Sequence, residues 1–335
     1  MKKRKSAWTI ILFFFVLLIA FVFSVVQALP HNTATLSGHH HLVENTKEIK
    51  KETANTAYTY PIDNEKKYIG VYVDDPDTAS SIYQNSINTI GWYVDLSQGI
   101  NCDKKLEQTL DQHLYSAFIT LEPTDMDLND IANGIYDDKF NDFFTKLTEN
   151  GRNETEVFVR FAHEMEMRPN YASNWYSWQG WDSDAYIRAW QHVIKLGHKN
   201  APNIKWVWSP NRADAFAQNY YPGDDFVDYV GLTLNNTTDG YSCFEEFYAS
   251  VGTQESLESY NKPIFISECA EYSEDENYKN DYISSIFDYI EKDNNIVGIV
   301  FLDKDITSDR AYKFSDNAEQ LNTFVTRSKK ITEGE

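Results

Sequence analysis

The chain has 335 residues, too many for one small domain and few enough for one large domain with a tail. Hydrophobic residues make up 42%, enough for a sizeable core, and the formal net charge of −21 argues against a nucleic-acid partner, whose phosphates such a surface repels. A neutral or cationic substrate fits that charge better, and the 15% aromatic content supplies rings of the kind on which sugars stack.

The chain opens "MKKRKSAWTIILFFFVLLIAFVFSVVQALP". Lys2, Lys3, Arg4 and Lys5 precede an apolar run from Ala7 to Val26, so residues 1–28 read as a secretory signal or a membrane anchor. The small residue Ala28 suits cleavage, while the run approaches the roughly 20 residues that span a bilayer. Either way the basic cluster stays cytoplasmic and the rest lies outside, so the expected location is extracellular or at the cell surface, with membrane association through this segment if it is retained. Residues 29–66 are polar without persistent periodicity and read as a linker. Its His39, His40 and His41 read as a solvated tract before a metal site. Cys102, Cys243 and Cys269 are odd in number and lack zinc spacing; one disulfide or buried thiols are equally compatible with them.

From Lys67 the pattern changes. Eight nearly continuous apolar runs follow in order: "YIGVYV" (68–73), "TIGWYVDL" (89–96), "YSAFITL" (115–121), "VFVRFA" (157–162), "IKWVWS" (204–209), "VDYVGLTL" (227–234), "PIFISE" (263–268) and "IVGIVFL" (296–302). Runs of this kind suit parallel strands buried on both faces. Helical patterns separate several of them, notably 184–199, where Tyr186, Trp190, Val193, Ile194 and Gly197 recur at helical spacing, and 277–293. Eight strands alternating with helices over residues 67–328 predict an α/β fold, a (β/α)₈ TIM barrel. An open doubly wound sheet binding a nucleotide needs a glycine-rich turn after its first strand; "DDPDTASS" stands there instead. The acidic "DDPD" (74–77) lacks the spacing of a calcium loop.

In such a barrel the site gathers at the C-terminal strand ends. In order, the strands deliver Asp74 and Asp75; Asp95; Glu122; His163 and Glu164; Ser209 and Asn211; Asn235 and Asn236; Glu268; and Asp303. Glycoside hydrolysis needs two carboxyl groups flanking the bond, one to protonate the leaving oxygen and one to attack or to guide water. Glu164 and Glu268 end strands four and seven, on roughly opposite sides of the mouth, and are the expected pair. Arg160 shares a face with Phe158 inside strand four and is expected to pair with a carboxylate near the barrel axis. Metal-ligand clusters are absent at these strand ends, and no cofactor is called for.

The strings "RFAHEMEM", "NWYSW", "WVWSPN", "YYPGDDFVDYVGL" and "FISE", in this order, resemble the successive motifs of glycoside hydrolase family 26, whose best-known members are endo-β-1,4-mannanases. The likeness spans about residues 67–315. It implies a retaining hydrolase acting on a polysaccharide through a glycosyl-enzyme intermediate, with Glu164 as acid/base and Glu268 as nucleophile. It also implies sugar contacts from His163 and Trp175; Trp178, Trp208, Arg160, Asn211 and Asn235 complete the expected substrate-binding set, and a monomer is expected. Three departures stand out. Glu166 occupies a position where the family usually has Asn. Asn235 stands after strand six where a Tyr usually bonds the nucleophile. Strand eight lacks a nearby Trp. These touch the choice of glycan, so β-glucan, β-1,3-xylan and exopolysaccharide remain alternatives to mannan. A catalytically weak carbohydrate-binding barrel is the competing reading from a different class, favoured if the role of the missing Tyr is not filled. A barrel hydrolase acting on a non-sugar substrate is a third, opposed by the lack of a metal cluster or a nucleophilic Ser/His pair.

Overall fold

The computed structural model describes residues 66–99, 103–167, 176–180, 182–237, 240–250, 253–307 and 310–334, all within the unit Pro61–Glu335. The apolar N-terminal segment, the linker with its histidines, Cys102 and Trp175 lie outside the described residues.

Eight parallel strands close into a barrel in sequence order: β1 (Tyr68–Tyr72), β2 (Thr89–Asp95), β3 (Ser116–Glu122), β4 (Val157–Phe161), β5 (Ile204–Trp208), β6 (Tyr229–Asn236), β7 (Ile264–Glu271) and β8 (Ile296–Leu302). Closure is by β1 against β8, from Tyr68 opposite Gly298 to Tyr72 opposite Leu302. Each expected strand is present, shifted by up to three residues at its ends. Helices α1 (Pro76–Ile82), α2 (Asp103–Leu106), α3 (Leu128–Ala132), α4 (Asp137–Thr148), α5 (Ser183–Asn200), α6 (Phe244–Ser250), α7 (Thr253–Glu258), α8 (Glu276–Ile290) and α9 (Ala318–Thr332) follow the strands. Between β5 and β6 there are only short 3₁₀ turns, Ala217–Tyr220 and Asp224–Phe226. Pro210 and Pro222–Gly223 interrupt any longer helix there.

The helices start where side chains can satisfy their first amide groups. Asp75 accepts from the Asp77 amide with Pro76 at the first helical position, so the "DDPD" run is a helix cap. Asp182 does the same for α5, accepting from the Ala185 amide at 2.8 Å. The buried stripe of α5 includes Tyr186, Trp190, Val193, Ile194 and Gly197. A Cβ at Gly197 would meet the Trp206 ring at 2.5 Å, so the glycine sets how closely α5 approaches β5.

Two apolar layers result from the two faces of each strand. Outward residues such as Val159, Phe161, Trp206 and Ile266 pack beneath the helices. Inward residues fill the barrel: Tyr68, Phe118, Phe158, Tyr229 and Phe265 form a plug, with Phe158 4.8 Å from Tyr68 and 4.9 Å from Phe265 between ring centroids. This plug closes the barrel below the mouth, so the polar inward residues above it share one floor.

Candidate active site

Inward parity on β3 runs Phe118, Thr120, Glu122, and on β4 Phe158, Arg160. Arg160 is 0% exposed and therefore needs every donor engaged. Its Nε donates to Thr120 Oγ1 at 3.0 Å, Nη1 to Thr233 Oγ1 at 3.4 Å, and Nη2 to Tyr93 Oη at 3.4 Å and Glu268 Oε2 at 3.1 Å. The expected pairing with a carboxylate is present, and the carboxylate is Glu268.

Glu268 reaches this position through a bulge. Strict alternation from the inward Phe265 would put Ser267 inside and Glu268 outside. The register slips here: Leu232 pairs with Ile266 but Thr233 pairs with Glu268. Ser267 is the extra residue, so it and Glu268 both face inward while Cys269 joins the outer core. Tyr72 donates to the Ser267 carbonyl at 2.8 Å and lies 3.1 Å from Thr120 Oγ1, pinning the bulge to β1 and β3. Opposite it, a Cβ on Gly231 would stand 2.3 Å from Ser267 Oγ and 2.4 Å from the Phe265 carbonyl, so only glycine fits.

Three donors converge on Glu268. Asn235 Nδ2 donates to Oε1 at 2.7 Å, Arg160 donates to Oε2, and the Tyr93 hydroxyl donates to Oε2. These are charge-assisted bonds to a carboxylate. Tyr93 comes from β2, not β6. Its ring stacks on Tyr72 at 4.8 Å and opens to solvent on its other side, 38% exposed, while its hydroxyl is enclosed against the carboxylate.

Glu164 sits at the end of β4 in a different setting. Ala162 (φ 44°) and Glu164 (φ 53°) both adopt the left-handed conformation, uncommon for residues with a Cβ. The turn is over-determined by its neighbours. The Ala162 amide donates to Leu121 O at 3.0 Å and the Glu164 amide to Ser209 O at 2.9 Å. Trp178 Nε1 donates to the His163 carbonyl at 2.7 Å, and Gln179 Nε2 to the Glu164 carbonyl at 3.1 Å. The Glu164 carboxyl accepts from Asn211 Nδ2 at 3.2 Å and is also bonded by Thr233. Burial, then the nearby Glu268 charge, push its pKa up, favouring the protonated acid. His163, buried beside it, is held well below the usual imidazole range by burial and by Arg160, so it is neutral.

Both carboxyl groups line one cavity of about 760 Å³ at the barrel mouth, together with Tyr93, Glu122, His163, Tyr176, Asn211 and Asn235. One carboxyl whose burial favours its proton and one held by donors, in a single cavity, is the constellation that glycosidic cleavage requires.

A sequence model of the family described as glycosyl hydrolase family 26 matches residues 87–286. The chain belongs to glycosyl hydrolase family 26. Endoglucanase H of Acetivibrio thermocellus is 30% identical over 170 residues, covering 45% of this chain and 18% of that one. Beta-1,3-xylanase TXYA of a Vibrio species is 26% identical over 195 residues, covering 56% and 38%. Mannan endo-1,4-beta-mannosidase A and B of Caldalkalibacillus mannanilyticus is 28% identical over 140 residues, covering 36% and 26%. The chain thus spans well under half the length of each of these curated relatives. Among solved structures, a Cellulomonas fimi endo-beta-1,4-mannanase double mutant shares the fold with TM-score 0.59 at 13% identity, covering 80% of this chain and 72% of that one.

Within the family 26 cleft, the expected sugar contacts divide into two groups. His163, Asn211 and Asn235 line the cavity. Three others do not reach it. Arg160 lies beneath the cleft, committed to Glu268 and the threonines. Trp178 is 1% exposed and stacks under Tyr176 at 4.3 Å, so Tyr176 presents the ring that faces the cavity. Trp208 is fully buried and packs against Tyr221 and Tyr260 in the outer core, on the face of β5 that points away from the axis. Glu166 also turns inward to the protein: its Oε1 accepts from the Arg212 amide at 2.7 Å, and burial raises its pKa to about 8. It braces the loop that carries Asn211 and is not among the residues that line the cavity.

Sequence reasoning missed Tyr93, although alternation along "TIGWYVD" places it inward with Gly91 and Asp95. It also missed the wall beyond β8, where β9 (Asp305–Thr307) and β10 (Arg310–Ala311) form a hairpin that contributes Ile306 and Arg310 to the cavity. Buried Lys279 of α8 holds its base, donating to the carbonyls of Ala311 at 3.1 Å and Lys313 at 2.9 Å. Asp303, Asp95 and Asp75 each make structural bonds: Asp303 accepts from the Tyr83 hydroxyl at 2.6 Å and the Phe314 amide at 2.7 Å, Asp95 caps a turn and Asp75 caps α1, while Asp303 and Asp75 also line a neighbouring cavity. Among the described residues no His/Cys/Asp/Glu group is arranged to hold a metal ion.

Proposed function

We propose that the protein is a retaining endo-β-glycanase, mannanase-like in reaction. The observation that carries this is the opposed setting of two carboxyl groups in one cavity: Glu164 buried, with its pKa raised by that burial, and Glu268 fixed by three donors. In the first step Glu164 donates its proton to the glycosidic oxygen as a Glu268 oxygen attacks the anomeric carbon. The bond to the leaving chain breaks and a glycosyl-enzyme ester forms. The now ionised Glu164 takes a proton from water, whose oxygen attacks the same carbon and releases Glu268. Two inversions give net retention.

The cleft supports binding within a chain. A second cavity of about 530 Å³, lined by Asp74, Asp75, Lys105 and Lys313, shares Tyr93, Leu302 and Lys304 with the catalytic cavity. Tyr93 bonds the nucleophile, so the sugar being transferred sits beside it and the second cavity continues on the glycone side. Asn211, Arg212 and Met167 surround the acid and mark the leaving-group side. The bond from Tyr93 to Glu268 weighs against a weak binding barrel, because it supplies from β2 the tyrosine donor missing after β6.

The relatives' names divide among mannan, β-1,3-xylan and an endoglucanase activity, so mannan leads the glycans to be tried, followed by those two and exopolysaccharides. The N-terminal segment supports export, with the barrel released or tethered outside the membrane. The purified protein should release reducing ends from a β-glycan in a panel of mannans, β-glucans and β-1,3-xylan, and Glu268→Ala should abolish this. Binding of a glycan without cleavage by the wild type would defeat the proposal in favour of a binding barrel.

A further inference from the structure

Glu122 is a third carboxyl group in the catalytic cavity, and the double displacement does not use it. It ends β3 with its side chain on the inward face, continuing the parity of Phe118 and Thr120, and pairs in register with Asp95 of β2. It is half-buried and lines the same cavity as Glu164 and Glu268. Its hydrogen-bond partner is the Tyr176 hydroxyl. Among the described residues no ion pair engages it, and the Arg160 guanidinium nearby is committed to Thr120, Thr233, Tyr93 and Glu268. An ionised carboxyl has about four lone-pair sites, so one phenol leaves most of its capacity facing the cavity. Leaving such a group half-buried costs stability unless something in the cavity satisfies it.

The topology says what that is. In a closed ring of eight strands, β3 lies opposite β7. A sugar held with its anomeric carbon at Glu268 and extending across the mouth would present its far, hydroxyl-bearing edge toward Glu122. From this geometry, and resting on the reading of the site as a glycan-cleaving one, we infer that Glu122 is a specificity-determining contact: its carboxyl takes hydroxyl groups on the edge of the sugar held at the catalytic pair. A carboxylate accepts two neighbouring hydroxyls well and a differently disposed pair poorly, which discriminates between epimeric sugars.

The charged and titratable groups facing it are Asp95 from β2, Arg160 from β4, Glu268 from β7 and Tyr176 from the loop after β4. Burial, with the two carboxylates, outweighs Arg160 and Tyr176 and raises its pKa to about 7. Glu122 therefore changes from donor to acceptor close to neutral pH, and substrate capture inherits that ionisation.

The test uses Glu122→Gln and Glu122→Ala beside the wild type, with kcat/KM measured on mannan, β-glucan and β-1,3-xylan oligosaccharides as a function of pH. Expected are a loss of about tenfold or more in kcat/KM on the preferred glycan, a smaller loss on the others so that their order changes, and disappearance of an ionisation near pH 7 from the kcat/KM profile of Glu122→Gln. A merely structural role would lower Tm but leave the order of glycans and the pH profile intact, and that result overturns the inference. If the wild type cuts glycans and both variants behave as it does, this inference alone fails. If the wild type neither cuts nor binds any of them, the glycanase reading fails with it.

Discussion

Glu164 and Glu268 are the same side chain at the ends of two strands; their neighbours separate their roles. Because burial raises the Glu164 pKa, its proton is present at and below that value and is lost as pH rises through it. The alkaline limb of the rate on polysaccharide should therefore belong to Glu164. Glu164→Ala should cut polysaccharide turnover by about 10²–10⁴-fold. It should still form the glycosyl-enzyme from an aryl glycoside whose leaving group needs no proton; equal loss on both substrates would count against the acid role. Tyr93→Phe keeps the stacking on Tyr72 and removes one donor to the nucleophile, so kcat should fall on the order of tenfold to a hundredfold with little change in Tm. Unchanged kcat would show that Asn235 and Arg160 suffice. Glu166 makes a stability prediction. Its pKa rises from 4.5 to about 8 on folding, so the folded state binds its proton more tightly. Stability from this group is complete below pH 4.5 and is lost as pH rises to about 8. Glu166→Gln should therefore gain on the wild type between those limits in denaturant titrations; a difference independent of pH would refute this. The placement of Glu164 and Glu268 at the barrel mouth was legible because a carboxylate ending an apolar strand stands out. Tyr93 was not, because a tyrosine in a strand looks like core until its hydroxyl is given a partner. Trp178 and Trp208 misled for the converse reason: their ring size suggests sugar platforms, but Trp178 serves the His163 carbonyl and Trp208 faces the helices.

At the scale of elements, the strands were visible as apolar runs because burial on both faces leaves few other residues possible. The two irregularities that aim the catalytic groups were not. Alternation alone would send Glu268 outward, and the bulge at Ser267 turns it in. The left-handed turn at Ala162 and Glu164 contains no glycine to announce it. Both are set by partners distant in sequence: Tyr72 and Gly231 for the bulge, Trp178, Gln179 and Ser209 for the turn. Gly231→Ala tests the first. Its new methyl meets backbone at 2.4 Å, which the strand cannot yield cheaply, so a loss of about 1–3 kcal/mol is expected from denaturant titration, with activity falling further as Glu268 is displaced. Wild-type stability and rate in that variant would show that the bulge has room to relax.

For the whole molecule, the barrel supplies a closed ring of strands on which Glu164, Glu268 and a third carboxyl, Glu122, line one cavity, and the β9–β10 hairpin raises a wall beside them. An aromatic plug seals the floor, so the polar groups above it share one cavity at the mouth. The order of strands and the family were readable from sequence; the identity of the glycan was not, because it depends on side chains such as Glu122 that meet the sugar only after the ring closes. The central claim is cleavage with retention through Glu268. It is tested most directly by following the anomeric protons of the first products by NMR, using whichever β-glycan the protein cuts. The account predicts that the β-anomer appears first and the α-anomer only later, by mutarotation. Initial release of the α-anomer would mean a single displacement by water and would contradict it.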